Sequence, residues 1–484
     1  MTARLALSPR VLRIELLAGL VTAFALIPET ISFALVAGVD PKIGLWASFT
    51  MSIAIAITGG RPAMISAAAG SMALVVVSLV ADHGVEYLIA ATVLAGVIQV
   101  AAGALGIAHA MRFVPRSVLT GFVNGLAILI FLAQLPYLRD VPTSVYALVG
   151  AGLLILYLFP RLTTAVPAPL VAIAALTVFT VVVGVDVPTI GDEGELPDTL
   201  PVLGIPDVPL TLDTLLIILP YAFTLAAVGL LESLLTAQIV DEVTETPSDK
   251  ARESRGQGWS NIVTGFFGGM PGCAMIGQTV INVKTSGGRT RISTAAAGIF
   301  LLILTVSLDG IVAVIPMAAL VAVMILVSAS TFDWHSVSLP TLRRLPRGET
   351  VTMATTVVAT VATHNLAIGV GAGSLVALVL FARRVAHLVE VTAVTDPDGA
   401  SRIYSVSGQL FFASETELIE QFDYASDPPH VVIDLSHAHI WDVSAVTALD
   451  TIAEHYRRHG TTVEVTGLNA HSRELRERLS AVTA

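Results

Sequence analysis

Apolar residues fill the first four-fifths of the chain in long runs, and charged residues or Gly/Pro pairs separate one run from the next. Runs of roughly 20 apolar residues are long enough for a helix to cross about 30 Å of hydrocarbon. The breaks divide this part of the chain into about 14 predicted membrane segments, some of them too short to cross fully. The predicted segments begin near residues 13, 42, 64, 85, 117, 142, 167, 212, 256, 274, 290, 311, 349 and 366.

The pattern changes after Arg384, where β-rich runs begin to alternate with amphipathic helical runs. This alternation is typical of a small α/β domain. We therefore predict a membrane domain at residues 1–390 and a soluble domain at residues 391–484. In the soluble domain, strands are predicted at residues 403–412, 431–435 and 462–466, and helices at residues 415–422, 444–458 and 472–479.

Composition supports the membrane assignment and excludes several classes of protein. The 484 residues are 54% hydrophobic and only 13% charged, with a mean hydropathy of +0.80, whereas a soluble domain is about 25% charged. The one cysteine, Cys273, excludes an internal disulfide and a cysteine-rich metal site. The sequence lacks a Walker motif, HExxH and GxSxG, so we expect neither an ATP-driven pump nor an enzyme. We also expect no cofactor and no nucleic-acid partner.

Basic residues are distributed very unevenly between the predicted loops. If the N-terminus is cytoplasmic, 18 of the 26 Lys and Arg residues lie in cytoplasmic loops or at the N-terminus, and six follow residue 400. Only Lys42 and Arg139 lie outside, which is a strong positive-inside signal. A loop at residues 185–211 carries six acidic residues and no basic one, and it separates two similar halves. We therefore predict a bacterial-type inner-membrane protein whose N-terminus and soluble domain are cytoplasmic.

Two acidic residues lie in the middle of predicted membrane segments, where an ionised side chain is costly and usually functional. Glu29 lies in the first segment and Glu232 in the eighth, and a hydroxyl residue, Ser32 or Thr236, follows each by about one helical turn. Because no Lys or Arg is available at mid-membrane, a buried carboxyl there favours its protonated form and suits a carrier of protons or cations. The alternative is that one or both acids pair with a neighbour or border a water pocket.

Two irregular segments occupy matching positions in the two halves. Gly/Pro breaks at residues 59–62 and 268–272 are each followed by small residues and then by a short apolar run. A half-helix that starts inside the membrane presents unpaired N–H groups and the positive end of its dipole, which bind an anion without a basic side chain. Paired segments of this kind point to the binding site of a transporter. Close helix packing through glycine and alanine is the alternative.

These residues and their surroundings resemble the sulfate permease family of anion transporters along nearly the whole chain. The resemblance rests on the stretches IPETISFALVAGVDPKIGLWASF (27–49), GELPDTLP (194–201), LLESLLTAQIVDEVT (230–244), GQGWSNIVTGFFGGMPG (256–272) and NVKTSGGRTRIS (282–293). It implies a membrane all-α fold with a seven-plus-seven inverted repeat, divided into core and gate subdomains, and a homodimer. It places the anion site between the third and tenth segments, on Ala69, Gly70, Ser71, Ala274, Met275 and Ile276.

The same resemblance gives a role to the acids. Glu232 and Thr236 match the family's coupling-ion position on the eighth segment, and Glu29 is the candidate counterpart in the first half. Relatives that look like sodium-coupled bicarbonate carriers tend to have Asp where this chain has Glu232. The glutamate therefore fits the proton-coupled members of the family better.

The soluble tail resembles a STAS domain, a relative of the anti-sigma-factor antagonists. A strand is predicted to end near Ser436, and residues 441–445 match the loop that reads D-S-S-G in the antagonists. Here Val443 replaces one serine and Ala445 replaces the glycine. Ser444 is therefore the candidate regulatory residue, and a plain helix N-cap is the alternative role.

Together these features favour symport of a small anion with a proton, by an elevator-like movement of the core against the gate. Bicarbonate, sulfate and dicarboxylates are the candidate substrates, and the lipid bilayer is the solvent. In the leading alternative the protein is a sodium-coupled bicarbonate symporter, and Glu232 and Thr236 bind the cation. An uncoupled channel or exchanger would not need the mid-membrane acids, and a membrane sensor would not need paired half-helices.

Overall fold

The computed structural model describes residues 8–106, 114–163, 167–197, 199–307, 309–386 and 389–483, which form two compact units. The first unit ends at Ser374 and the second begins at Leu375. Arg4 and Arg112, two of the basic residues predicted inside, lie outside the described residues, as does Asp198 of the acidic loop.

The first half of the membrane unit is a series of helices that one short strand interrupts. Pro9 and Pro41 stand at the first positions of two helices, where the missing N–H costs nothing, and Gly38 ends the first helix in the left-handed conformation (φ 78°). The elements are α1 (Pro9–Ala37), α2 (Pro41–Thr58), β1 (Ser66–Ala68), α3 (Gly70–His83), α4 (Val85–Ala104), α5 (Arg116–Leu132), α6 (Thr143–Leu162), α7 (Ala168–Val183) and the single turn α8 (Ile190–Glu193).

The second half repeats this plan, with a strand again before its third segment, which here is a five-residue helix followed by a π-helical turn. Its elements are α9 (Leu212–Thr244), α10 (Lys250–Phe266), β2 (Gly272–Ala274), α11 (Ile276–Val280), a π-helical turn (Ile281–Thr285), α12 (Arg291–Ser307), α13 (Asp309–Ala313), α14 (Met317–Thr331), α15 (Leu339–Arg344), α16 (Arg347–Thr363) and α17 (Leu366–Ala386). The segment predicted to start near residue 311 contains a break, because α13 begins at Asp309 and α14 at Met317. Pro316 separates the short α13 from α14 although the apolar sequence continues across it.

Seven of the described helices are long and apolar enough to cross a membrane, and α3, α7, α12 and α14 are shorter apolar helices. The polar helix α10 is not among them. The number of membrane crossings, predicted at about 14, therefore stays a prediction, whereas the predicted helical membrane domain is confirmed.

The long helices pack in two groups. α1–α4 pack with α9–α12, and α5–α7 pack with α14 and α16. Glycine lets α5 approach α16 closely: an ideal Cβ would stand 2.6 Å from Thr356 if built on Gly121, and 2.9 Å from Thr360 if built on Gly125. We call the first group the core and the second group the gate, after the subdomains that the family resemblance implies.

The acidic loop at residues 185–211 is tied to the ends of core helices. The backbone N–H of Lys42 donates to the carbonyl of Glu195 (3.1 Å), and the Lys42 ammonium pairs with the Glu195 carboxylate. The N–H of Gly204 donates to the carbonyl of Phe266 at the end of α10 (2.7 Å). Lys42, one of the two basic residues predicted outside, thus lies with this loop on one face of the membrane unit.

The second unit contains a four-stranded sheet in the order β3-β4-β5-β6. β3 pairs with β4 in antiparallel fashion, and the β4–β5 and β5–β6 pairs are parallel. Apolar residues such as Ile433 and Leu449 are fully buried in a core of this unit's own. Its elements are β3 (Glu390–Thr395), β4 (Ser401–Leu410), α18 (Glu415–Ile419), β5 (His430–Ile440), α19 (Val443–Arg458), β6 (Thr462–Thr466) and α20 (Ala470–Thr483).

Two strands of this sheet differ from the sequence prediction. β3 has no counterpart in the prediction, because it is a short strand with five of its six side chains exposed. β5 does not end near Ser436 but continues to Ile440, past an irregularity in its pairing with β4. The tail is nonetheless the strand–helix domain that the sequence predicts.

The loop before α19 also differs in detail. Asp442 is the N-cap of this helix, and its Oδ1 accepts the N–H of Ala445 (3.0 Å). The alternative role of Ser444 as an N-cap is therefore wrong, because Ser444 is already the second residue of the helix. Its regulatory role stays a prediction.

A buried carboxylate anchors the loop that precedes β5. Asp427 accepts hydrogen bonds from the hydroxyls of Tyr404 (2.6 Å) and Tyr456 and from the guanidinium of Arg402 (2.7 Å). Burial, and then the bond to Asp427, raises the pKa of both tyrosines above the ordinary value. β4, α19 and this loop are thereby held together by polar contacts within the unit.

A chain truncated after residue 390 is expected to give a monodisperse membrane domain that still binds the transported anion. The reason is that each unit closes a hydrophobic core of its own. Size-exclusion chromatography in detergent, followed by an anion-binding measurement, checks this expectation against the full chain. Aggregation of the truncated protein would contradict it.

Candidate functional site

The two irregular segments of the sequence meet as a short antiparallel ladder inside the core. β1 pairs with β2, with Ser66 opposite Ala274. Each strand runs into a helix, α3 at Gly70 and α11 at Ile276. Because the strands are antiparallel, the two helices leave in opposite directions and their N-termini lie at the two ends of the ladder.

The residues that the family resemblance assigns to the anion form these two ends. Ala69 and Met275 are the extended N-caps of α3 and α11. The first N–H groups of a helix have no acceptor within the helix, so both ends can donate to an anion. The set comprises Ala69, Gly70 and Ser71 on one side and Ala274, Met275 and Ile276 on the other.

Glu232 of α9 lies at the start of α3. Its carboxylate accepts a hydrogen bond from the hydroxyl of Ser71 and another from the thiol of Cys273, whose Sγ is 3.2 Å away. The Glu232 side chain is 7% exposed, and neither contact brings a positive charge. The predicted coupling acid therefore touches a residue of the predicted anion site. The hydroxyl of Ser71 is engaged by this bond, so its backbone N–H is the group that would donate to an anion at this helix end.

The same helix also holds the second strand. The Thr236 hydroxyl donates to the Glu232 carbonyl in its own helix (2.8 Å) and lies 3.4 Å from the carbonyl of Ala274. The hydroxyl of Ser233 accepts the N–H of Ala274 (3.0 Å). One turn of α9 thus contacts both the start of α3 and the end of β2.

Glu29 has the corresponding place in the other half. It stands as far from the first residue of α1 as Glu232 stands from the first residue of α9. Its largely buried side chain lies beside that of Gln278 in the first turn of α11. Each acid therefore meets the half-helix that belongs to the opposite half of the chain. The hydroxyl of Ser32 does not join Glu29 but donates to the carbonyl of Pro28 (2.8 Å).

Phe33, one turn after Glu29, packs its ring against the start of α3. An ideal Cβ on Gly70 would stand 2.6 Å from a ring carbon of Phe33, so the position leaves no room for a side chain. Phe33 is itself buried. Phe33 lies in a continuous apolar run, and the sequence therefore gave no sign of this contact.

A line of polar side chains on α10, here called the α10 ladder, supports both strands and was missed in the sequence. Glu253, Gln257 and Asn261 recur every fourth residue and are buried on one helix face. Gln257 donates to the hydroxyl of Ser66 (2.7 Å). Asn261 pairs with the backbone of Gly272, accepting from its N–H (2.9 Å) and donating to its carbonyl (3.0 Å). The spacing of polar residues in a predicted membrane segment is the signal that could have revealed it.

Asn261→Leu is expected to destabilise the membrane domain and to weaken anion binding. The substitution leaves two backbone groups of Gly272 unpaired, at a cost of about 1–3 kcal/mol for each buried group. Thermal unfolding in detergent, with and without anion, measures both effects. Ser260→Ala is the matched control, because the Ser260 hydroxyl only donates to the Gly256 carbonyl of its own helix. Equal melting temperatures for the two variants would show that the α10 ladder does not support the strand.

Within the described ranges, no group of three or more His, Cys, Asp or Glu residues could hold a metal ion. The atoms near Glu232 are nevertheless of the kind that hard cations prefer, namely carboxylate, hydroxyl and carbonyl oxygens. Glu232, Thr236 and the carbonyl of Ala274 supply them. A cation bound there would be cargo of the protein.

A cavity of about 780 Å³ lies between the core and the gate. Leu74 and Ser78 of α3 and Tyr221 of α9 line its core side, and Tyr137 and Asn365 line its gate side. Its wall on α3 begins one turn beyond Gly70, so the cavity ends close to the helix start without reaching the predicted anion residues.

Comparison of the sequence with known proteins identifies its family. The model of the sulfate permease family matches residues 12–151 and 139–356, and the STAS domain model matches residues 391–482. The candidate sulfate transporter YbaR of Bacillus subtilis (strain 168) is 54% identical over 469 residues, which cover 97% of each chain.

Two solved structures share the fold. The transmembrane domain of the bicarbonate transporter BicA from a cyanobacterium matches with a TM-score of 0.65 and 25% identity, over 77% of this chain and 98% of its own. The murine anion transporter Slc26a9, in an inward-facing state, matches with a TM-score of 0.82 and 15% identity, over 99% of this chain and 88% of its own. The latter likeness is one of fold alone.

The sequence matches and the fold place the chain among polytopic anion transporters that carry a STAS domain. The chain belongs to the sulfate permease family. The family named from the sequence is thereby confirmed, and the roles of individual site residues stay predictions.

Proposed function

We propose that this protein is a secondary active transporter that carries one small anion together with a proton. The observation that supports this most directly is the hydrogen bond from Ser71 to Glu232. It places a carboxyl at the helix end that the anion would occupy. Two negative charges at one helix end repel each other, so the anion binds best when Glu232 is protonated.

The coupling follows from that competition. When Glu232 is ionised, its carboxylate is stabilised by the start of α3 and by the Ser71 and Cys273 donors. A proton on Glu232 releases the positive helix end for the anion. With Glu232 neutral and the anion bound, the core moves against the gate in an elevator-like step. This movement carries the proton and the anion across the membrane together.

The substrate class is a small inorganic or carboxylate anion. Backbone N–H groups at two helix ends select for charge and size and make few contacts that depend on chemical identity. Relatives named for sulfate and for bicarbonate fit this class equally well. The cavity between core and gate supplies an approach to the start of α3.

Sodium coupling is the second candidate, and the oxygen atoms around Thr236 favour it. Glu232, the Thr236 hydroxyl and the Ala274 carbonyl could ligate a cation at the end of β2. A bound sodium would neutralise Glu232 as a proton does. The anion in this case is bicarbonate.

Uptake into proteoliposomes separates these possibilities. Labelled bicarbonate, sulfate and fumarate are supplied in turn under an inward proton gradient and, separately, under an inward sodium gradient. We expect accumulation with the proton gradient alone. Accumulation that depends on the sodium gradient and not on pH would contradict proton coupling and support the sodium symporter. Equilibration without accumulation under either gradient would indicate an uncoupled exchanger or channel.

We further propose a cytoplasmic N-terminus and STAS domain, on the strength of the basic residues in the alternate loops. The homodimer that the family resemblance implies is part of the same proposal. Cysteines introduced at Arg139 and at Arg161 should react with an impermeant thiol reagent from opposite sides of the membrane. Reaction of both from the same side would contradict the orientation.

A further inference from the structure

The chain between α14 and α16, residues 332–347 and here called the α15 segment, is fixed to the gate by one buried side chain. Asn124 of α5 accepts the N–H of Asp333 (2.8 Å) and donates to the hydroxyl of Ser336 (2.9 Å). Asn124 is almost completely buried. The beginning of the α15 segment is therefore held at the middle of α5.

The helices beside this segment set the depth of its two ends. Asn124 lies about 12 Å along α5 from Arg116, at 1.5 Å per residue. α16 runs beside α5 with Thr356 against Gly121, which puts Arg347 about 6 Å beyond the level of Arg116. The α15 segment thus rises about 18 Å, from the hydrocarbon level to the membrane surface.

The deep end of the segment carries two aromatic rings that border a groove. Trp334 is 65% exposed, its Nε1–H donates to the carbonyl of Ala329 (2.8 Å), and its ring stands 4.7 Å from the ring of Phe332. These two rings line a groove of about 350 Å³ between α5 and α14, together with Ile128 and Ile325. Ile128 lies farther from Arg116 along α5 than Asn124 does, so the rings stand at the end of the groove nearer Arg116. The indole N–H is already satisfied, so the groove offers hydrocarbon contacts.

The surface end of the segment is basic. Arg343 and Arg344 end α15, Arg347 begins α16, and all three are exposed. Among the residues that the structure describes, no acidic side chain forms an ion pair with any of them. A hydrogen bond between Thr341 and His335 (3.2 Å) connects α15 back to the residue beside Trp334.

We propose that the two aromatic rings and the two arginines that end α15 form a binding site for an anionic phospholipid. The headgroup phosphate lies against Arg343 and Arg344, and the end of one acyl chain reaches Trp334 at the near end of the groove. The match of charge carries the argument: aromatic rings at hydrocarbon depth and arginines nearer the membrane surface complement the acyl chain and the headgroup of one anionic lipid. A second copy of the chain on this face would bring its own arginines against them, because a two-fold interface pairs identical patches. The site is independent of the transported ion.

Fluorescence quenching by brominated lipids tests this inference with the full chain. The signal of Trp334 is obtained as the difference between wild type and Trp334→Phe. Vesicles contain either brominated phosphatidylglycerol or brominated phosphatidylcholine, diluted into the unbrominated neutral lipid. We expect the phosphatidylglycerol to quench at a several-fold lower mole fraction. The largest difference expected between the two lipids is about 25-fold. It corresponds to two arginines that each contribute as much as a basic residue near an anionic membrane surface usually does.

The variants decide whether the arginines are responsible. Arg343→Gln/Arg344→Gln should make the two lipids quench equally, whereas the matched control Arg383→Gln/Arg384→Gln, two exposed arginines at the end of α17, should keep the preference. Equal quenching in the wild type would overturn the proposal and leave ordinary contact with bulk lipid. Absence of quenching by either lipid would overturn it by showing that protein covers the groove. A preference that survives in the Arg343→Gln/Arg344→Gln variant would overturn it as well.

Discussion

Glu232→Gln is expected to abolish anion uptake driven by a pH gradient while anion binding survives. The amide has the shape of the protonated carboxyl and cannot release a proton. The hydrogen bonds from Ser71 and Cys273 converge on one oxygen of this side chain, and the glutamine oxygen can still accept them. The start of α3 therefore stays available to the anion at every pH. Accumulation in proteoliposomes should fall to the level seen without a gradient, and exchange of anion for anion should persist.

Glu29→Gln is the matched comparison for this experiment. Glu29 lies beside Gln278 at the start of α11 and, unlike Glu232, has no hydrogen bond to the start of α3. We expect a partial loss of uptake with the dependence on pH retained. If Glu29→Gln removes proton-driven uptake and Glu232→Gln keeps it, the roles of the two acids must be exchanged. If wild-type uptake follows sodium, both variants report on cation ligands instead.

Gly70→Ala is expected to lower transport about tenfold or more with expression unchanged, since an overpacked contact of this kind costs about 1–3 kcal/mol. The added methyl group would stand 2.6 Å from the ring of Phe33, at the helix end proposed for the anion. Gly70→Leu and Ala274→Leu should act more strongly, because Ala274 is fully buried beside Thr236. Uptake of radiolabelled anion per unit of purified protein is the measurement.

The contact with Phe33 makes the cause of this loss testable. Gly70→Ala combined with Phe33→Leu should recover part of the lost transport, since the smaller side chain removes the clash. A double-mutant cycle of the two substitutions measures the coupling energy between the two positions. Gly371→Ala in α17 is the control, because an added Cβ there meets no atom within 4 Å. Normal transport by Gly70→Leu and Ala274→Leu alike would mean that the anion binds elsewhere.

Patterns that repeat between the two halves were readable from the sequence. The mid-membrane acids and the Gly/Pro breaks each occur twice, and the structure brings both pairs into one core. The contacts between them were not readable, because they depend on which residue faces which across the ladder of β1 and β2. Cys273 is an example: a lone cysteine in an apolar run gives no sign that its thiol will reach Glu232.

The α10 ladder shows a second limit of prediction from sequence. Gln257 and Asn261 stand in a polar stretch that the family resemblance covers, yet their roles follow only from the strands they support.

In the soluble domain, the sequence prediction was limited by local structure before α19. Asp442 and Ser444 are both acceptable caps, and the choice between them depends on where the strand before the helix ends, which is at Ile440 and not near Ser436.

The pairing of β1 with β2 has a consequence for the biosynthesis of the protein. β1 is made early, and its partner follows only after about two hundred further residues have been synthesised. Until then, the backbone groups of Ser66 to Ala68 have no strand beside them in an environment that penalises every unpaired N–H and C=O. Formation of this ladder is a contact of very long range, which folding reaches late. During membrane insertion β1 therefore has to stay in the aqueous translocation machinery, or be covered by α1 and α2, until Gly272 arrives.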